Sequence, residues 1–367
     1  MSQLTYQIAF ASLRGMTRTL ANEILSRIGD ETAFFNATEQ QLKSLMGFKN
    51  KLLTQSYRNE VLEKAKKEAE FIANNNIQPI YYTDKEFPYR LSECDDAPLM
   101  LYTVGKCDLN SAHIVSIVGT RHATPYGIDF TTRLIEDLAK SIDNIVIVSG
   151  LAYGIDFAAH NASLRNNIPT IAVLAHGLNT IYPAAHRNIA VEIARNNGML
   201  ITDYRSIDAI HKGNFVARNR IVAALCDCLV VAESAQKGGA LITAGIASSY
   251  NRDVFALPGR SSDKYSSGCN RLIASNVAAL IENADDLITA MRWTTKPKEG
   301  EQQSLAIDIS EEEEQAVIDY LSTHDDAQIN QLCIALNYPI ARLMALLIDM
   351  EFKGLVLTYP GGRYRLA

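Results

Sequence analysis

His211, Lys212, Arg218 and Arg220 set four potentially basic side chains around one ring, Phe215, in a chain whose 41 Asp and Glu outnumber its 35 Lys and Arg. That combination suits a narrow site for phosphate or single-stranded nucleic acid, because cations pair with backbone phosphate and a ring offers a stacking surface. In a helical register Lys212, Phe215 and Arg218 recur every three residues and share one side, with Arg220 on another. Lys212 and Arg218 are therefore expected to hold phosphate and Phe215 to support a base, while Arg220 is expected in a structural salt bridge. The segment precedes an apolar run at 221–225, near a helix start, where free backbone N–H groups favour anions.

Other loops carry groups of the same chemistry. In the GTRHATPYG run at 119–127, Gly119 permits a tight turn or close ligand approach and Arg121 is a phosphate fork. Thr124 is the cap of a helix that Pro125 begins. In SGLAYGID at 149–156, Ser149, Gly150 and Gly154 can form a loop of backbone donors for phosphate, with Asp156 as a local cap. His160 is either a satisfied helix residue or a ligand contact. His176, in the loop at 175–183, is a candidate donor to phosphate, but no partnered nucleophile makes it catalytic. In ESAQKGGALIT at 233–243, Gly238 and Gly239 before a helix form an anion-binding turn, assisted by Lys237 and Thr243. Pro258, Gly259 and the SGCNRLI run at 267–273 reach the same rim. None of these spacings is the dinucleotide fingerprint or a P-loop, and no cofactor is expected.

These loops need a scaffold. Between 113 and 290 the chain alternates apolar, β-rich runs (114–118, 145–148, 170–174, 199–202, 228–232, 254–257 and 279–281) with helical segments. Continuous apolar strands between helices predict an α/β fold with a mostly parallel sheet covered on both faces, its ligands beyond the carboxyl ends of the strands. Residues 1–72 read as a helical domain, with helices at 4–12, 18–28, 39–45 and a longer one ending near 71. Its two glycine turns, at 13–16 and 45–48, are compatible with a SAM-like or helix-hairpin-helix module. Residues 73–112, punctuated by Pro79, Pro88 and Pro98, read as a connecting strap, and 291–309 as a linker. The last segment, 310–367, orders three helices (311–322, 327–336, 340–353) before two short strands (355–359, 363–366), which fits a winged helix. Its third helix offers only Arg342 and Lys353 to phosphate, with Asp349 and Glu351 beside them, so it is a poor reader of duplex DNA.

A chain of 367 residues that is 47% hydrophobic buries a substantial core divided into two or three domains. The net charge of −6 argues against diffuse attraction to DNA or anionic membrane. The acidity is concentrated at the end: residues 301–367 hold 11 acidic and 4 basic side chains, a net of −7, which leaves about +1 on the rest. Nucleic acid should therefore meet the middle of the chain. Six cysteines lack the paired spacing of a zinc site and are expected to be reduced thiols, with no metal. There is no signal region and no run of the roughly 20 apolar residues that cross a bilayer, so a cytoplasmic location is expected.

Taken together, IVGTRHATPYG at 117–127, SGLAYGIDFAAH at 149–160, IYPAAH at 181–186, FVARNRIV at 215–222, KGGALITAG at 237–245, FALPG at 255–259 and SSGCNRLI at 266–273 resemble the DNA-processing protein A (DprA/Smf) family over essentially the full length. The resemblance implies an extended Rossmann-like domain that binds single-stranded DNA, with a helical domain before it and a winged-helix-like domain after it. It also implies homodimerisation through the Rossmann-like part and help in loading RecA onto incoming strands during natural transformation. By motif correspondence Arg121 and Lys212 would hold phosphates, Gly119 would allow close backbone approach and Phe215 would support a nucleotide. The chain departs from the family at Gly238 and Ala240, where a KSGS/T-like turn usually has small hydroxyl residues.

The expected function is accordingly a non-enzymatic single-stranded-DNA adaptor with site residues Gly119, Arg121, Ser149, Gly150, Lys212, Phe215, Arg218, Lys237 and Gly238. Two alternatives belong to other classes. A nucleotide or ribosyl-phosphate hydrolase could use a similar sheet, but its PGGxGTxxE motif is missing, since Pro360-Gly361-Gly362 lies in the terminal segment without that continuation. A duplex-DNA regulator would act through the terminal domain.

Overall fold

The computed structural model describes residues 1–46, 54–296, 311–359 and 361–367. Gly47 and Phe48 of the second glycine turn, positions 297–309 of the expected linker and Pro360 lie outside the described residues. The chain divides into two compact units, Met1–Lys296 and Pro297–Ala367.

The first unit opens with helices α1 (Gln3–Ala11), α2 (Arg18–Ile28), α3 (Glu31–Asn36), α4 (Glu39–Met46) and α5 (Gln55–Asn74). Ser2, Thr17 and Asp30 each accept a bond from a backbone N–H of the following first turn, which stops α1, α2 and α3 at these points. Helix α3 adds to the expected set; six residues are too few to show a period. It is held by tertiary contacts: Phe34 packs edge-on against Phe10 at 5.3 Å, and the buried Arg58 of α5 donates to the carbonyl oxygens of Phe34, Phe35 and Ala37. Those carbonyls end the helix without partners of their own, so a cation there satisfies both the bonds and the dipole.

The sheet follows. Strand β1 (Gln78–Tyr81), helix α6 (Tyr89–Ser92) and strand β2 (Met100–Gly105) precede β3 (His113–Val118), α7 (Pro125–Ser141), β4 (Ile145–Ser149), α8 (Ile155–Arg165) and β5 (Thr170–Val173). Then come α9 (Arg187–Arg195), β6 (Met199–Thr202), α10 (Lys212–Ala224), β7 (Cys228–Val231), α11 (Gly239–Ser249), β8 (Asp253–Ala256), α12 (Ser267–Ala274), β9 (Ala279–Leu280) and α13 (Ala284–Met291). Nine strands pair in the order β1-β2-β6-β5-β4-β3-β7-β8-β9. The run from β6 to β9 is parallel, while β2 lies antiparallel to β6 and β1 to β2. All seven expected strands are present within a residue or so. Alternation splits their side chains: Val115, Ile117 and Ile147 face α7 and α8, whereas Ile114, Val146 and Val148 join the core that α10, α11 and the first helices share.

The strap reading of 73–112 is corrected, because β1 and β2 are strands of this sheet. The prolines hid them: Pro79 sits in the edge strand, where a missing N–H is tolerated, and pairs with Tyr102 in register. Residues 292–296, expected in the linker, stay on the first unit, with the Trp293 ring 4.6 Å from His113 and the Lys296 N–H donating to the Ser141 carbonyl.

In the second unit α14 (Glu311–Ser322), β10 (Ala327–Gln328), α15 (Ile329–Leu336), α16 (Ile340–Phe352), β11 (Val356–Tyr359) and β12 (Arg363–Leu366) enclose Val317, Leu321, Leu332, Leu346 and Leu347. The middle helix starts two residues later than expected because Ala327 and Gln328 pair with β12. On α16 the outward face is apolar: Ile340, Met344, Ile348 and Phe352 are exposed at every fourth position. Arg342 is paired with Glu313, and Lys353 with Glu314 and Asp349.

One ion pair ties the α6 segment to the centre of the sheet. The buried guanidinium of Arg90 grips Asp227 with two bonds of 2.6 and 2.9 Å, and the same carboxylate accepts from the Ile114 N–H at 2.8 Å. Removing the carboxylate strands a buried cation and a strand N–H. Asp227→Ala should therefore lower the unfolding free energy by about 3 kcal/mol, read as a lower urea midpoint with an unchanged slope.

Candidate nucleic-acid interface

Strand β3 has β4 on one side and β7 on the other. The chain winds outward from β3 to β6, and α10 then carries it back across to β7. The loops leaving β3 and β7 therefore diverge, and the crevice between them is where open parallel sheets bind ligands. A cavity of about 520 Å³ occupies this place, lined by residues 118–122, by Phe215 and Arg218 of α10, by the turn before α11 and by Lys264 and Tyr265. A larger depression of about 940 Å³ lies at the opposite ends of the strands, among Ala112, Ile145 and Asn167. Its Lys296 is already paired with Asp143, and the convergence of loops favours the smaller cavity.

Two expected residues, Arg121 and Phe215, line it together, and Lys212 stands one helical turn before Phe215. Arg121 is exposed, with its guanidinium carbon 5.7 Å from the centre of the half-buried Phe215 ring. Lys212 is exposed at the first position of α10, a helix long enough to present free N–H groups. Phe215 is also packed by Tyr182, edge-on at 5.4 Å. The β3–α7 loop that carries Arg121 is anchored by the buried Glu233, which accepts from the Thr124 N–H at 2.8 Å and its hydroxyl at 2.6 Å. Thr124 in turn caps α7, and Pro125 is its first residue. On the other rim Lys237 is exposed and Gly238 caps α11. A Cβ on residue 238 would fall 2.3 Å from the Ser234 hydroxyl, so the glycine is matched to that serine.

Other expected contacts face inward. Ser149 is fully buried and its hydroxyl donates to the Ile117 carbonyl. The Gly150 and Ala152 N–H groups donate to the buried Asp156 carboxylate at 3.2 and 3.3 Å, so these donors are already taken by a carboxylate at the cavity wall. Burial raises the Asp156 pKa, opposed by the nearby Arg218. Arg218 is only 5% exposed; it donates to the Gly150 carbonyl at 2.6 Å and to the Val173 carbonyl. It therefore braces the cavity floor while also lining the cavity, with its Nη1 already committed to backbone carbonyls. Gly119 has a packing reason as well, since a Cβ there would come within 2.4 Å of Ile155. Gly154, at φ +77°, lets α8 begin beneath the Thr120 carbonyl. Arg220 makes the expected structural bridge, to Asp203.

His160 and His176 are internal. His176 bonds the Gly177 carbonyl and accepts from the Tyr182 N–H, which holds that loop. His160 is fully buried against the Thr170 hydroxyl at 2.8 Å. Burial pushes the Cys226 thiol up to about 11. Among the described residues no group of three or more His, Cys, Asp or Glu is placed to hold a metal ion, and no single helix is long and apolar enough to cross a membrane.

Two features escaped the sequence reading. His122 and Tyr265 lie nearly parallel at 6.2 Å, with the Lys264 ammonium 5.3 Å from the Tyr265 ring, because residues 260–266 are a polar loop without a period. Tyr182 joins Phe215 only through the fold.

His160 supplies a pH test. Burial, with Arg218 and His186 nearby, lowers its pKa from 6.5 to about 3. The unfolded chain therefore binds the extra proton first. The stability contributed by a neutral His160 is complete above pH 6.5 and is lost as pH falls toward 3, at up to about 1.4 kcal/mol per pH unit. Urea midpoints measured between these limits should fall more steeply for the wild type than for His160→Asn.

A model of the DNA recombination-mediator protein A family matches residues 78–292, and a model of the DprA winged helix domain matches residues 301–362. The chain is 32% identical to Protein Smf of Synechocystis over 308 residues, covering 83% of this chain and 76% of that one. It is 40% identical to DNA processing protein DprA of Streptococcus pneumoniae over 210 residues, covering 57% and 73%. The X-ray structure of DNA processing protein A from Streptococcus pneumoniae superposes with a TM-score of 0.64 at 30% identity, over 79% of this chain and 98% of that one. DNA processing protein A from Helicobacter pylori, solved for its single-stranded DNA binding mode, gives 0.53 at 32% identity over 59% and 95%. With a family model over residues 78–292 and a relative 32% identical over 83% of the chain, the chain belongs to the DNA recombination-mediator protein A (DprA/Smf) family.

Proposed function

We propose that this protein binds single-stranded DNA in the crevice beside β3 and passes the strand to RecA, without breaking a bond. The observation that carries the reading is the meeting of exposed Arg121 and half-buried Phe215, 5.7 Å apart, beside exposed Lys212 at a helix start. Cations at the mouth take phosphate, and Phe215 offers a face to a base. Support comes from the family and from the Helicobacter pylori relative, whose own structure concerns single-stranded DNA.

In this reading the parallel sheet is an extended Rossmann-like domain and the second unit is winged-helix-like. Two protomers pair through the sheet domain in the cytoplasm, so that two crevices serve one strand. The second unit is unsuited to duplex reading. Arg342 of α16 and Lys353 at its C-terminal end are paired with carboxylates, and the outward face of the helix is apolar. Protein contact suits it better.

Fluorescence anisotropy with matched single-stranded and duplex oligonucleotides at several salt concentrations tests the site. Single strands should bind more tightly. Each of Arg121→Ala and Lys212→Ala should reduce the slope of log affinity against log salt by about 0.7. Phe215→Ala should cost about 1–3 kcal/mol with the slope unchanged. Equal, salt-insensitive binding by wild type and the Arg121→Ala, Lys212→Ala double variant would sink the site. Release of a base or sugar phosphate from a nucleotide would point to a hydrolase. For the partner, RecA filaments should form faster on strands coated with single-strand-binding protein when this protein is present; no acceleration rejects the mediator role.

A further inference from the structure

Beyond Phe215 the same rim carries rings that the phosphate site does not use. Tyr182, edge-on to Phe215, is 51% exposed. A short turn leads from it to His186, which is buried and bonded through Nδ1 to the Leu151 carbonyl at 2.9 Å. Against this fixed imidazole lie Tyr153, with ring centres 4.7 Å apart, and Phe157, at 4.8 Å. Both keep much of their surface in solvent, at 49% and 37%. Their chain neighbours Ala152 and Asp156 line the cavity that holds Arg121 and Phe215, so the rings continue the crevice. Arg187, next to His186 at the start of α9, is exposed and adds a cation.

Scattered single aromatics on a surface need no explanation, but clustered, exposed and immobilised rings beside cations do. Rings already held in place lose little freedom when a base stacks on them, and stacking accepts any base because each has a π-face. We propose that Tyr182, Tyr153 and Phe157 form a second, base-stacking stretch of the single-strand path. It takes nucleotides beyond those whose phosphates sit at Arg121 and Lys212. The inference rests on the single-stranded-DNA reading above and extends its footprint in a stated direction, along the loops after β4 and β5.

Length dependence separates the two readings. Full-length wild type and the Tyr153→Leu, Phe157→Leu double variant are compared by anisotropy on oligothymidylates of about 4 and about 16 nucleotides. Leucine keeps apolar bulk against His186 but has no π-face. The double variant should bind the long strand roughly tenfold more weakly, within the range for lost stacking, and the short strand as the wild type does. A Tyr153→Trp protein should lose fluorescence on binding the long strand and not the short one. Equal losses on both lengths, or wild-type binding of both by the leucine variant, overturns the extended path and leaves the Arg121 site standing. Wild-type binding with lost RecA loading assigns the rings to a protein and also overturns it. If the wild type binds neither oligonucleotide, both readings fall.

Discussion

The guanidinium of Arg218 lies inside the protein at the carboxyl edge of the parallel sheet, bonded to the carbonyl oxygens of Gly150 and Val173. A cation out of water is costly unless it is bonded and faced by opposite charge, and Asp156 supplies the opposing charge here. The rim is arranged around this group. A Cβ on residue 150 would overlap the guanidinium, and the Asp156 carboxylate gathers the N–H groups of the loop after β4. Helix α10 must lie where Arg218 reaches both β4 and β5. That placement also sets Phe215, about one turn earlier, against the cavity, with Lys212 a further turn back at the helix start.

The cations of this region thus divide between two environments. Arg218 and Arg220 work inside the wall, on backbone carbonyls and on Asp203. Arg121, Lys212 and Lys237 stand outside it. This division reconciles a net charge of −6 with an anion site: attraction is local and made by a few cations over a rigid floor. The second unit concentrates the acidity, and the exposed face of its α16 is apolar, not basic.

Much of the fold was legible in the residues. The parallel strands are continuous apolar runs because both their faces are covered, and Thr124 with Pro125 announces α7 through local capping chemistry. Elements whose stability is not local were missed. Helix α3 is closed by Arg58, more than 20 residues later in the chain, and β1 is recognisable as a strand only once β2 pairs with it. Among the site residues, Arg121 and Phe215 come together and Lys212 is exposed at the helix start, whereas Ser149 and Arg218 bond backbone carbonyls and the Gly150 N–H bonds Asp156. Glycine and serine in a loop after a strand signal a turn, but not which side its donors face.

By itself the sequence determined the alternation of strands and helices, the acidic tail and the ordered motifs that mark the family. Those depend on residue type and short spacing, which the chain carries regardless of its fold. Tertiary structure alone decided which basic residues are solvent-facing cations and which are buried struts. Burial and pairing arise where loops distant in sequence meet, as Arg218 meets Gly150 and Arg121 meets Phe215.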